Sequence, residues 1–239
     1  LDFVIVRESI EGLFALRDQG IVTDREARDT MVITRDVCEP LFDFSFDYTR
    51  RRSKRGGRNH LTCVDKANVF ASMAFFRKIF DERHANNSDV DASHAYVDAT
   101  ALNLVRRPWD FDVIVTENMF GDILSDLAAG LIGGMGFAPS ADIGLEHAVF
   151  QPCHGSAPDI AGKGIANPTA TFLSGAMMLE WLGDRHDCAP AVKAAGILRE
   201  AVDEAYRRGI RPYEVGGRHG TEAIAIAVTD ALGAAPSVG

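Results

Sequence analysis

The apolar run Phe111-Asp112-Val113-Ile114-Val115 passes almost directly into the segment Asn118–Asp126, and this joint limits what the chain can fold into. The run reads as a buried strand. The segment after it continues through Leu127, Ala128 and Leu131 as an apolar helical stripe. A buried strand that hands straight to a helix is the repeating unit of layered α/β folds with parallel strands.

The same alternation recurs along the chain. Phe3–Val6 and Met31–Thr34 read as strands, and residues 10–34 as an arm or excursion rather than core. A helix is expected over 36–54, with Val37, Leu41, Phe44 and Tyr48 on one stripe. Leu61–Val64 is a strand, followed by a helix over 69–83 carrying Val69, Met73, Phe76 and Ile79. Ala95–Val97 delivers Asp98 to a helix that ends before Pro108. Gly133-Gly134-Met135-Gly136 breaks the pattern, which places a domain boundary between 132 and 133. His147–Gln151 is a strand. Asn167 and Pro168 then start a helix as N-cap and N1, and two further helices follow. No G-x-G-x-x-G occurs, so the Rossmann fingerprint is absent.

Composition excludes several classes. A hydrophobic fraction of 46% with 25% charged residues is that of a globular chain with a sizeable core. A net charge of −9 argues against a general nucleic-acid binder. The basic run Arg50–Arg55 reads as a solvated helix end. No apolar stretch has the length of a membrane span, and no signal peptide is visible. Cys38, Cys63, Cys153 and Cys188 show no C-x-x-C pairing, which fits reduced thiols and a cytoplasmic location; Cys38 and Cys63 lie in core patterns.

Several strands end in a chemically capable residue: Arg7, Lys66, Asp98, Asp122 with Asp126, and His154. Ligands collect at such ends in open α/β sheets. Asp122 and Asp126 stand four apart, so on a helix both carboxylates leave one face and suit Mg²⁺ or Mn²⁺. Taken alone, each has a plainer reading. The two aspartates are then an acidic helix face, Lys66 a surface lysine, Asp98 an N-cap and Arg7 a salt-bridge partner.

The motifs Val64–Val69, Tyr96–Asp98, Asp112–Asp126 and His154–Pro168 together resemble the metal-dependent β-decarboxylating dehydrogenases, the isocitrate/isopropylmalate dehydrogenase family. The resemblance implies an α/β fold of two domains with mixed sheets, not a Rossmann fold. Residues 1–132 are then most of a dimerising, metal-binding and substrate-binding domain. Residues 133–239 are the C-terminal half of a nucleotide domain. It further implies that Asp122 and Asp126 bind the divalent ion, with Asp98 arriving from the other subunit of a homodimer. Lys66, also from the partner, moves the proton of the substrate hydroxyl, and Arg7 clamps a carboxylate of a small hydroxy acid. His154, Gly155, Ser156, Ala157, Asp159 and Asn167 bind the dinucleotide. Asp159 favours NAD by accepting from ribose hydroxyls and repelling a 2′-phosphate.

Two departures bear on function. Phe14 stands where the family has the tyrosine assigned to protonate the enol carbon, and Phe has no proton to donate. The family's N-terminal region, with two further substrate arginines and the helix that selects the substrate, is expected to be missing from this chain. The expected activity is NAD-dependent oxidation of a 2-hydroxy dicarboxylic acid, usually with decarboxylation, as in 3-isopropylmalate dehydrogenase. Tartrate or D-malate dehydrogenase is the alternative within the class. A catalytically silent homologue that only dimerises or binds nucleotide is the alternative outside it.

Overall fold

The computed structural model describes residues 1–234, which divide into two units, Leu1–Ala128 and the part from Ala129 onward. In the first unit the elements are β1 (Val4–Arg7), β2 (Ile21–Val22), β3 (Ala27–Arg28), α1 (Arg35–Ser53), β4 (His60–Asp65), α2 (Ala71–His84), β5 (Asp91–Tyr96), α3 (Val97–Arg106), β6 (Val113–Thr116) and most of α4 (Asn118–Leu131), whose last residues fall past Ala128. Four of them make a parallel sheet in the order β1-β6-β4-β5. The two central strands are the most apolar, and burial follows: all of β6 and all of β4 after His60 are buried. The edge strands β1 and β5 are only partly covered.

Leu61 and Cys63 on β4 share a sheet face with Val113 and Val115 on β6, as alternation along a strand requires. Against that face pack Cys38, Phe42 and Phe46 of α1 and Met73, Phe76, Ile79 and Phe80 of α2. Phe42 meets Phe76 edge-on at 4.8 Å and Phe80 at 5.3 Å. Cys63 and Cys38 are core, as expected, and burial pushes the Cys38 thiol up to about 12, leaving it unreactive.

Several expectations need correction. The buried stripe of α1 is Cys38, Phe42, Ser45, Phe46 and Thr49, not Val37, Leu41, Phe44 and Tyr48, which are only half-buried. Ser45 and Thr49 can be buried because their hydroxyls donate to the carbonyls of Leu41 and Ser45, each at 2.7 Å. Val69 is exposed because α2 starts after it. Met31–Thr34 is not a strand; only Val32 bridges to Gly12, and Thr34 stands at the N-cap position of α1 with its hydroxyl turned to Glu11. The segment 10–34 is not wholly an excursion either. Ile21–Arg28 forms an exposed hairpin, but Glu11 and Gly12 are buried. Glu11 holds the far end by accepting from the Thr34 amide at 2.7 Å and hydroxyl at 2.6 Å. Nor is the basic run simply solvated: the half-buried Arg52 pairs with the buried Asp112 at 2.6 Å.

The second unit holds an antiparallel pair, β7 (Pro139–Ile143) and β8 (Ala148–Pro152), and helices α5 (Thr169–Arg185), α6 (Ala189–Arg207) and α7 (Thr221–Gly233). Strand β7 was not anticipated, since Pro139 and Asp142 mask its pattern. Small residues let the helices approach. A Cβ on Gly183 of α5 would lie 2.5 Å from Val192 Cγ2 of α6. Ala201, Val202 and Ala205 of α6 pack with Val228 and Ala231 of α7. Among the described residues no helix is long and apolar enough to cross a membrane.

Candidate active site

Register in the sheet puts Arg7, at the end of β1, beside Thr116, at the end of β6. Helix α4 starts two residues later, so its first turn rises next to the Arg7 side chain. Arg7 donates from Nε at 3.0 Å and Nη2 at 2.8 Å to Asn118 Oδ1, and from Nη1 at 2.5 Å to Asp122 Oδ1. Asn118 is itself buried and donates to the Glu11 carbonyl at 3.0 Å. The Phe14 ring lies 5.9 Å from the guanidinium, at the distance of a cation–π contact. Gly121 makes the approach possible, because a Cβ there would sit 2.5 Å from Arg7 Cγ.

Sequence reasoning passed over Glu117, which fixes the helix start. Its buried carboxylate accepts from the amides of Met119 at 3.0 Å and Phe120 at 3.2 Å, two of the unpaired donors of α4. Burial raises its pKa against the lowering effect of those two bonds, and Glu8 adds repulsion. Gly12 is required beside it: its φ is +79°, and a Cβ would come 2.2 Å from Glu117 Oε1. Glu8 is buried too, accepting from the amides of Ile10 at 2.5 Å and Glu11 at 2.9 Å. The only sequence signal for these roles was an acid followed by backbone amides two and three residues on.

Asp122 and Asp126 lie on one face of α4, one turn apart and exposed. Their hard oxygens fit one side of a Mg²⁺ or Mn²⁺ shell, leaving the other positions to substrate, water or another carboxylate. The same chain does not add a third carboxylate: among the described residues no three His, Cys, Asp or Glu cluster as metal ligands. Asp98 instead meets Lys66 at 2.6 Å, joining the ends of β5 and β4. The bond from Lys66 holds the Asp98 carboxyl below the usual range. Tyr96 lies against this pair, with Lys66 Nζ 5.7 Å and the Arg77 guanidinium 5.2 Å from its ring. Arg77 in turn grips the buried Asp65, just before Lys66, through two bonds of 2.7 Å.

In the second unit, the loop from Cys153 to Ala166 carries the residues named for a dinucleotide. Gly155, Ser156 and Asp159 are exposed, and His154 and Ala157 half-exposed. Ala157 has φ +42°, and Gly162 and Gly164 have φ +75° and +66°, so the loop turns tightly. Its end is tied to the start of α7: Thr221 donates to the Gly164 carbonyl at 2.9 Å and the Ala166 carbonyl at 2.6 Å. Exposed amides and a carboxylate fit the polyhydroxyl and phosphate groups of a dinucleotide. Asn167 is used differently. Its side chain faces inward, accepting from Thr169 N at 3.1 Å and donating to Glu214 at 3.1 Å, and the N-cap position of α5 falls to Pro168 rather than to Asn167 as expected. The helix accordingly starts at Thr169, after Pro168.

Comparisons with known proteins agree with this architecture. A sequence profile of the isocitrate/isopropylmalate dehydrogenase family matches residues 1–232. A 3-isopropylmalate/3-methylmalate dehydrogenase of Methanocaldococcus jannaschii is 45% identical over 92% of this chain and 64% of its own length. A 3-isopropylmalate dehydrogenase of Aquifex aeolicus is 43% identical over 90% of this chain and 57% of its own. The chain thus spans less than two thirds of these curated relatives. An isocitrate dehydrogenase crystal structure from Methylococcus capsulatus superposes with a TM-score of 0.83 at 40% identity, covering 95% of this chain and 66% of that one.

Proposed function

This chain belongs to the isocitrate/isopropylmalate dehydrogenase family, and from that premise we propose that it serves an NAD-dependent, divalent-metal-dependent oxidation of a 2-hydroxy dicarboxylic acid, with decarboxylation, of the 3-isopropylmalate type. Residues 1–132 hold metal and substrate and form a homodimer; residues 133–239 hold part of the nucleotide. The observation that most supports this reading is the Lys66–Asp98 pair at 2.6 Å, an amine and a carboxylate brought to adjacent strand ends from 32 residues apart.

When bound, Mg²⁺ or Mn²⁺ supplies Lewis acidity toward the substrate hydroxyl and carboxylate, and NAD supplies the hydride acceptor. Asp122 and Asp126 of one subunit would hold the ion, with Asp98 of the other. Lys66, entering as the neutral amine, would take the proton of the substrate hydroxyl oxygen and hand it back later in the cycle. Once Lys66 carries that proton, the ionised Asp98 would orient the resulting ammonium. Arg7 grips a carboxylate with a planar fork. His154, Gly155, Ser156 and Ala157 line the dinucleotide, and Asp159 accepts from its ribose.

Phe14 favours a second reading within the class, a tartrate or D-malate dehydrogenase, because no phenol stands over Arg7 to donate the late proton. A silent homologue is disfavoured by the intact Lys66, Asp98, Asp122 and Asp126. The test is NADH formation by the full-length protein from 3-isopropylmalate, tartrate and D-malate with Mn²⁺, for the wild type and Asp126→Asn. Metal-dependent turnover of one acid, with kcat/KM higher for NAD than for NADP and strongly reduced in Asp126→Asn, is expected. Metal dependence unchanged in the variant would refute the ligand assignment. No turnover of any of the three acids would favour the silent homologue.

A further inference from the structure

Resting on the reading of Arg7 as the carboxylate clamp, we infer that Asn118 is a positioning residue that sets which N–H groups of Arg7 are presented to the substrate. A guanidinium has five N–H donors in one plane. Asn118 Oδ1 takes one from Nε and one from Nη2, the side edge of the fork. Asp122 takes one from Nη1. Two donors remain, one on each terminal nitrogen, for the oxygens of a carboxylate.

Asn118 can impose this choice because it cannot turn. It is 2% exposed, and its amide nitrogen is committed to the Glu11 carbonyl at 3.0 Å. That bond orients the side chain, so its oxygen, not its nitrogen, faces the cation. The backbone beneath it is held by the Glu117 cap and by Gly12, whose missing Cβ would lie 3.3 Å from Asn118 Cβ. Gly121, three residues along the helix, leaves room for the Arg7 stem. The Phe14 ring centroid lies 5.9 Å from the guanidinium carbon. The plane is therefore set by a buried, neutral acceptor. A second carboxylate in its place, beside Asp122, would cancel more of the charge that attracts the substrate.

A double-mutant cycle tests the inference. The variants are Asn118→Ala, Arg7→Ala and the pair, and the readout is calorimetric binding of 3-isopropylmalate with Mn²⁺. A hydrogen-bonded charge that loses its positioning partner weakens binding by roughly ten- to a hundredfold. Asn118→Ala should therefore weaken 3-isopropylmalate in an Arg7 background and have no further effect once Arg7 is alanine. NAD affinity should stay unchanged. Asn118→Ser, small and polar but too short to reach Arg7, replaces Asn118→Ala if the latter does not fold. Additive losses in the cycle would overturn the inference. A second readout is independent of the substrate: the ¹⁵N resonance of Arg7 Nε, identified by its disappearance in Arg7→Lys. It should be slow to exchange in the wild type and fast in the Asn118 variant. Equal exchange in both would also overturn it. Faster exchange in the Asn118 variant, with 3-isopropylmalate binding unaffected by Arg7→Ala, would uphold Asn118 and remove the clamp role from Arg7.

Discussion

Gly121→Ala is the sharpest probe of the arginine site, because two known effects act in opposite directions. In a helix interior, replacing Gly by Ala stabilises by about 1 kcal/mol. Here the new Cβ would lie 2.5 Å from Arg7 Cγ, 2.8 Å from Cβ and 3.1 Å from Cδ. Carbon atoms pack at ~3.5–4.0 Å, so a displacement of about 1 Å is needed. Arg7 Cβ cannot supply it, being fixed to a strand paired along its whole length with β6. The stem of Arg7 or the first turn of α4 must move. Overpacking of this kind costs ~1–3 kcal/mol, which offsets or exceeds the propensity gain. The same displacement carries the guanidinium away from Asn118 and Asp122, whose bonds are now 2.5–3.0 Å. A misplacement of about 1 Å in a clamp can cost ~10²-fold in rate. Gly130, on the same helix with open space around it, is the control. Urea unfolding should show Gly130→Ala more stable than wild type and Gly121→Ala equal or less stable. Steady-state kcat/KM should fall only in Gly121→Ala. If the two variants behave alike in both assays, the close approach of Arg7 to α4 is wrong.

Three further outcomes are expected. If sites are shared across a homodimer, mixing inactive Lys66→Ala with inactive Asp122→Ala should restore activity as subunits exchange; exchange without recovery would refute sharing. Phe14→Tyr should accelerate a late proton transfer, by up to ~10²–10⁴-fold if that step limits. Rapid-quench comparison of NADH and CO₂ formation checks it, and simultaneous appearance in the wild type with no gain in the variant would show that Phe14 is no handicap. Glu117 has a raised pKa, so the folded state binds its proton more tightly than the unfolded chain does. Its contribution to stability is therefore greatest below the ordinary glutamate range and is lost as pH rises through the raised value. Glu117→Gln should accordingly gain Tm relative to wild type as pH rises above the ordinary glutamate range, and a constant difference would contradict the shift.

Local pattern alone was enough for the strand–helix joints and for the residues at their ends. Strand β6 and helix α4 follow from an apolar run and a 3.6-residue stripe, and the one-face placement of Asp122 and Asp126 is a property of any helix. The family motifs, being contiguous, were likewise readable from the chain. Local pattern did not decide which flank of α1 turns inward. Both stripes are apolar enough, and the choice fell to Phe42 and Phe46 because α2 presents Phe76 and Phe80 to them. Nor could it show that Asn118 holds Arg7 across 111 residues, or that Gly12 and Gly121 are glycines because Glu117 and Arg7 fill their Cβ positions. Those contacts depend on the pairing of β1 with β6. Helical and strand periods are set by each residue's own backbone, whereas the neighbours of a side chain are set by which strands pair and in what register.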